Sequence, residues 1–63
     1  MPVIKIDGNN TISIDKKREM VEKVSEIVAE AYNLPVDAIT VLVTGYDFDD
    51  IGVGGKLLSD RKD

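Results

Sequence analysis

A chain of 63 residues with net charge −4, no Cys and no His is expected to be one small domain over residues 1–63, without disulfides or the usual zinc ligands. Folding at this size hides only about 60% of the unfolded surface, and ordering costs on the order of 1.5 kcal/mol per residue, which leaves association with copies of itself as the missing support. The basic residues are scattered, which disfavours nucleic acid, and neither an apolar run near the roughly 20 residues that span a bilayer nor a leader-like amino end is present, so a soluble cytoplasmic protein is expected.

In chain order, Pro2 comes first. A small second residue lets Met1 be removed, and the chain then begins with a free secondary amine. With a generic α-amino pKa of about 8, an apolar setting that disfavours the charged form leaves part of that amine neutral near pH 7. Val3 and Ile4 supply part of such a setting. Proline is also a common second residue of no consequence, so position alone does not assign it a role.

Val3-Ile4-Lys5-Ile6 is rich in β-branched residues and predicts a strand that stops at the turn formers Asp7-Gly8-Asn9-Asn10. Ser13 or Asp15 can cap a helix with apolar residues at Met20, Val21, Val24, Ile27, Val28 and Ala31. Glu19, Glu22, Lys23, Glu26 and Glu30 fall between them as a solvated face, and the helix should end near Asn33, with Pro35 preventing continuation. Ile39-Thr40-Val41-Leu42-Val43-Thr44 reads as a second strand buried on both faces. Strand, helix and strand make a right-handed crossover with the two strands parallel, and such a unit alone has unpaired edges. The glycines of Ile51-Gly52-Val53-Gly54-Gly55-Lys56-Leu57-Leu58 predict a short hairpin, suited to reach a neighbouring subunit, followed by a loose polar tail from Ser59 to Asp63.

Motifs with their own chemistry are sparse. Gly52-Val53-Gly54-Gly55-Lys56 lacks the spacing of a phosphate loop, and Leu57 stands where Ser or Thr is needed. Asp47-Phe48-Asp49-Asp50-Ile51-Gly52 begins like a calcium loop but has Ile51 at the fifth position and Leu58 at the twelfth. With His and Cys absent, no Ser/His or Cys/His nucleophile can be built. No metal and no cofactor are expected.

Met1-Pro2, a short strand, a helix of about 19 residues, Leu34-Pro35, a second strand and Ile51-Gly52-Val53-Gly54-Gly55 fall in one order. In that order the chain resembles the 4-oxalocrotonate tautomerase family over essentially its whole length. The resemblance implies an α/β (α+β) subunit, a βαβ unit with a short carboxy-terminal hairpin, assembled as a homo-oligomer, usually a hexamer of three dimers. It implies that the nitrogen of Pro2 removes a proton next to the carbonyl of a small substrate and returns it elsewhere, with no cofactor. Ile51 stands where the family has a phenylalanine that walls the site and keeps the proline neutral. Ile12 and Thr40 stand where the best-known members hold a dicarboxylate with two arginines, and neither can grip a carboxylate as a guanidinium does. Proton transfer therefore carries over and the dicarboxylate does not; a cation replacing the arginines would come from Lys5, Lys56 or a neighbouring subunit's Arg18 or Arg61. The alternative is a non-catalytic homo-oligomeric scaffold, or a small-ligand-binding protein on the same fold.

Overall fold

The computed structural model describes residues 1–61. Strand β1 spans Val3–Asn9, helix α1 Ile14–Tyr32 and strand β2 Thr40–Tyr46; the short strands β3 (Gly52–Val53) and β4 (Lys56–Leu57) follow. β1 and β2 pair in parallel from Val3 opposite Thr40 to Asn9 opposite Tyr46, and β3 and β4 pair antiparallel. This is the expected βαβ unit with a carboxy-terminal hairpin.

Local chemistry sets the ends of α1. The Ser13 hydroxyl accepts from the N–H of Lys16 at 3.2 Å, so Ser13, not Asp15, is the cap. At the other end Asn33 takes a left-handed conformation, φ 55°. The N–H of Leu34 then reaches back to the carbonyl of Ala29 at 2.9 Å, closing a Schellman turn. Pro35 starts the short 3-10 turn Val36–Ala38 that delivers the chain to β2.

Four expectations need correction. β1 does not stop at Ile6 but runs on to Asn9, because β2 extends to Tyr46 and each further rung of the ladder satisfies backbone groups that Asp7, Gly8 and Asn9 would otherwise expose. Gly45 makes room for the chain leaving β1: a Cβ there would lie 3.1 Å from the Cβ of Asn10. The apolar stripe of α1 is shifted. Ser25 and Ala29 are its buried centre, whereas Ile27 is 70% exposed and Ala31 is also exposed. Ile27 lies two residues, about 200° of rotation, beyond Ser25.

The third correction concerns β2, which is covered on one face only. Ile4, Ile6, Val41 and Val43 are half-buried on the helix side, and Ile6 and Val43 border one hollow with Met20 of α1. Leu42, on the opposite face beside Lys5, is 49% exposed. One subunit has no second layer for that face.

A single subunit also lacks a sealed core. Among the described residues only Ala29 and Ser25 are buried. The radius of gyration is 15.0 Å, against about 11 Å for a compact domain of this length. The accessible surface is 5078 Å², against about 4,000 Å² for a compact monomer of this mass. The glycine-rich hairpin extends this elongated shape. Gly54 and Gly55 have φ of 63° and 84°, values that a two-residue turn of this twist requires and that side chains resist. Ser59 and Asp60 belong to the 3-10 turn Leu58–Asp60 and are not loose; Lys62 and Asp63, the rest of the expected tail, lie outside the described residues. No helix among the described residues is long and apolar enough to cross a membrane.

Candidate active site

Pro2 lies immediately before β1. It is half-buried, while Met1 in front of it is 94% exposed. Its carbonyl accepts from the backbone N–H of Thr40 at 3.2 Å, so the first rung of the β1–β2 ladder, Val3 opposite Thr40, also holds the proline before it. Thr40 in turn is placed by the 3-10 turn after Pro35, where the N–H of Ala38 donates to Pro35 and that of Ile39 to Val36, both at 3.0 Å. Pro2 and Thr40 are thus neighbours through the Leu34-Pro35 segment and the parallel register.

Ile51 and Ile12 lie elsewhere. Ile51 opens the carboxy-terminal hairpin: its carbonyl accepts from the N–H of Leu58 at 2.8 Å, and its half-buried side chain borders a hollow of about 500 Å³ with Asp7, Asn9, Tyr46, Asp50 and Leu58. Asp7, Asn9 and Tyr46 are at the carboxyl ends of β1 and β2, whereas Pro2 is at the amino end of β1. At about 3.3 Å per residue the two ends are roughly 20 Å apart. Ile12, 36% exposed, borders a smaller hollow of about 250 Å³ with Ile6, Met20 and Val43 on the helix side of the sheet. One subunit therefore brings Pro2 and Thr40 together and leaves Ile51 and Ile12 at the far end of the sheet, on opposite faces.

Neither arginine is near the proline in the chain's hydrogen-bonding. Arg18 pairs with Asp15 at 2.9 Å on the exposed face of α1, and the guanidinium of Arg61 donates to the carbonyl of Val53 at 2.9 Å, bracing the hairpin. Lys5 lies on the open face of the sheet, and Lys56 is exposed on β4. The helix acids Glu19, Glu22, Glu26 and Glu30 are all exposed, as a solvated face requires. Among the described residues no group of three or more His, Cys, Asp or Glu is placed to hold a metal ion. Another hollow, about 540 Å³, is a groove along α1 bordered by Ile14, Arg18, Val21, Ser25 and Val36.

By residue type alone Asp7 and Asn9 are turn formers. Their place beside Ile51 follows only once β1 is extended to Asn9, because alternation along the strand then sets Lys5, Asp7 and Asn9 on one face. The Tyr46 hydroxyl donates to Asp7 Oδ1 at 3.3 Å across the two strands.

The profile of the tautomerase enzymes matches residues 2–61. The chain belongs to the tautomerase family. A probable tautomerase of Halalkalibacterium halodurans is 34% identical over 61 residues, covering 97% of this chain and 100% of that protein. Among solved structures, DmpI from Archaeoglobus fulgidus is 39% identical with a TM-score of 0.84, covering 94% of this chain and 100% of that one. A 4-oxalocrotonate tautomerase homologue superposes with a TM-score of 0.93 at 27% identity, over 100% of both chains. Tautomerase membership thus spans the whole βαβ unit and the hairpin, including both the Pro2 end and the Ile51 end of the sheet.

Proposed function

We propose that this tautomerase shifts a proton next to the carbonyl of a small substrate, between keto and enol or between conjugated and unconjugated forms, with the nitrogen of Pro2 as the base once Met1 is gone. The observation that carries this reading is the anchoring of Pro2: half-buried, with its carbonyl held by Thr40, its nitrogen has a fixed place at the end of β1. While Met1 is attached, that nitrogen is an amide without basicity. After removal it is a secondary amine on a rigid strand, and positioning of this kind is what general base catalysis needs.

The apolar wall for this amine comes from another copy. Pro2 and Ile51 lie at opposite ends of one sheet, so an Ile51 that shields Pro2 belongs to a neighbouring subunit, and the working form is a homo-oligomer, a hexamer by resemblance. The open sheet face around Leu42 and the elongated shape support association.

A second reading, a non-catalytic scaffold or small-ligand-binding protein, is favoured by one observation: Thr40, not a cation, is the residue tied to Pro2. One experiment separates the two. Intact mass spectrometry first establishes whether Met1 is removed, and ketonisation of a simple enol acid is then followed on protein with and without Met1. Catalysis that appears only without Met1 supports the base. No catalysis in either form leaves the scaffold.

A further inference from the structure

The hollow beside Ile51 has a chemical character that the lost arginines alone do not explain. Along β1 and β2 the alternation sets Asp7, Asn9 and Tyr46 on the same face of the sheet. The chain after β2 then brings Asp50, Ile51 and Leu58 against them. The result is an apolar wall of Ile51 and Leu58 facing polar groups, with no Lys or Arg in the lining among the described residues. Its volume of about 500 Å³ lies within the range of small-molecule sites.

The polar groups are oriented. Tyr46 gives its hydroxyl proton to Asp7, so its oxygen lone pairs remain to accept a hydrogen bond. Asn9 Oδ1 accepts from the N–H and the hydroxyl of Thr11, at 3.2 and 2.6 Å. Asp50 makes no side-chain hydrogen bond or ion pair among the described residues and is exposed at the hollow's edge. The hollow therefore presents two carboxylates and a phenol oxygen as acceptors against an apolar wall, with the amide NH2 of Asn9 as its side-chain donor.

We propose that this hollow receives the far end of the substrate and that Asp7, Tyr46 and Asp50 select a carbonyl compound whose far end is uncharged or cationic and donates hydrogen bonds, such as a hydroxyl or an ammonium. This rests on the reading that Ile51 of one copy faces Pro2 of another. A second carboxylate on the substrate is then repelled by Asp7 and Asp50, beyond lacking an arginine to hold it. A hydroxyl or ammonium donates to Tyr46 or Asp50 while its carbon frame lies on Ile51 and Leu58.

The test uses the Met-free oligomer and three aryl keto acids that differ only in the para substituent: carboxylate, hydroxyl or aminomethyl. The wild-type kcat/KM for the para-carboxylate should fall below that for the other two by on the order of tenfold at low salt, since like charges a few ångströms apart near a surface repel. The gap should narrow at high salt. Asp7→Asn with Asp50→Asn should bring the three to within about threefold, the size left once the charge term is gone. Where the double variant changes oligomeric mass, Asp50→Asn alone, at an exposed position, should recover about half the effect on a logarithmic scale. Equal discrimination in folded variants, or a wild-type preference for the para-carboxylate, would overturn the proposal. Titrating Pro2→Ala protein with the same compounds, followed by backbone amide shifts at Tyr46 and Gly52, keeps the two readings apart. If the hydroxyl compound shifts them more than the carboxylate while Met-free wild type turns over nothing, the pocket stands and the Pro2 base fails. If turnover depends on Pro2 but those amides do not move, the pocket fails and the base stands.

Discussion

The backbone N–H of Thr40 donates to the carbonyl of Pro2 across 3.2 Å, at the first rung of the ladder, where Thr40 stands opposite Val3. That rung uses only main-chain atoms of Pro2, so it survives substitution of the ring. Pro2→Ala should therefore keep the fold and the melting temperature while lowering kcat by about 10² or more, because general base catalysis contributes roughly 10² to 10⁴ and an acyclic amine differs in basicity and placement. The comparison needs both proteins free of Met1. Wild-type turnover by the variant would show that Pro2 is not the base.

Leu42 gives a test of assembly. It lies on the uncovered face of β2, opposite Lys5, and is 49% exposed. An isolated chain with a radius of gyration of 15.0 Å leaves too much apolar surface in water, and a second copy on that face would remove it. Leu42→Asp should shift the light-scattering mass from an oligomer toward the single chain, with loss of helical circular dichroism. An unchanged mass would mean that this face is not an interface.

Ser13→Ala removes the side-chain acceptor of the Lys16 N–H and leaves an orphan amide at the start of α1. Loss of such a cap costs about 0.5–2 kcal/mol, and at fixed protein concentration the melting temperature should fall by several degrees. Ser13→Asp should restore it, because a carboxylate both caps and complements the helix dipole.

Both helix ends could be read from the sequence because their chemistry is local: Ser13 bonds three residues ahead and Asn33 adopts a positive φ within its own turn. The end of β1 could not, since Asp7, Gly8 and Asn9 are extended only by pairing with Thr44, Gly45 and Tyr46, more than thirty-five positions along the chain. The buried stripe of α1 departs from its apolar residues at Ser25 for a related reason. Its hydroxyl marks it as polar, but its small volume lets the helix bury it, while apolar Ile27 faces solvent. In the candidate site, Pro2, Ile12, Thr40 and Ile51 are expected from resemblance and positional alignment. Asp7, Asn9 and Tyr46 needed the strand register, which no residue pattern encodes alone.

The hairpin that carries Ile51 depends on two left-handed residues. Gly54 and Gly55 have φ of 63° and 84°, and the Arg61 guanidinium ties the turn to the carbonyl of Val53. Gly55→Ala meets no atom within 4 Å, so its cost is conformational and should be about 1 kcal/mol, with another about 1 kcal/mol if Arg61→Ala removes the brace. Because the Leu58 N–H to Ile51 carbonyl bond closes the same hairpin, the double variant should lose activity more steeply than the helix-cap variant at matched stability. Equal losses would mean that the hairpin has no part in the site.

Substrate charge provides the last test, through Thr40. Thr40 and Ile12 occupy the positions where the family resemblance implies arginines for a dicarboxylate, and Thr40 is the one that the fold ties to Pro2. A charge-assisted hydrogen bond to a carboxylate is worth roughly 1.5–3 kcal/mol. Lacking two such bonds, the wild type should handle a dicarboxylate about two to four powers of ten less well than a site that has both. Thr40→Arg should recover on the order of tenfold or more in kcat/KM for a dicarboxylate. The backbone rung to Pro2 is untouched by this change, and Thr40 is only half-buried, so the longer side chain has a route to solvent or to the site. A neutral keto compound gains nothing from the new cation, and its kcat/KM should stay within about threefold. Steady-state kinetics on both substrates, with Met-free protein of verified oligomeric mass, decides the matter. Equal gains on both substrates would show that residue 40 acts on something other than a carboxylate, and no gain on the dicarboxylate would remove Thr40 from the substrate's reach.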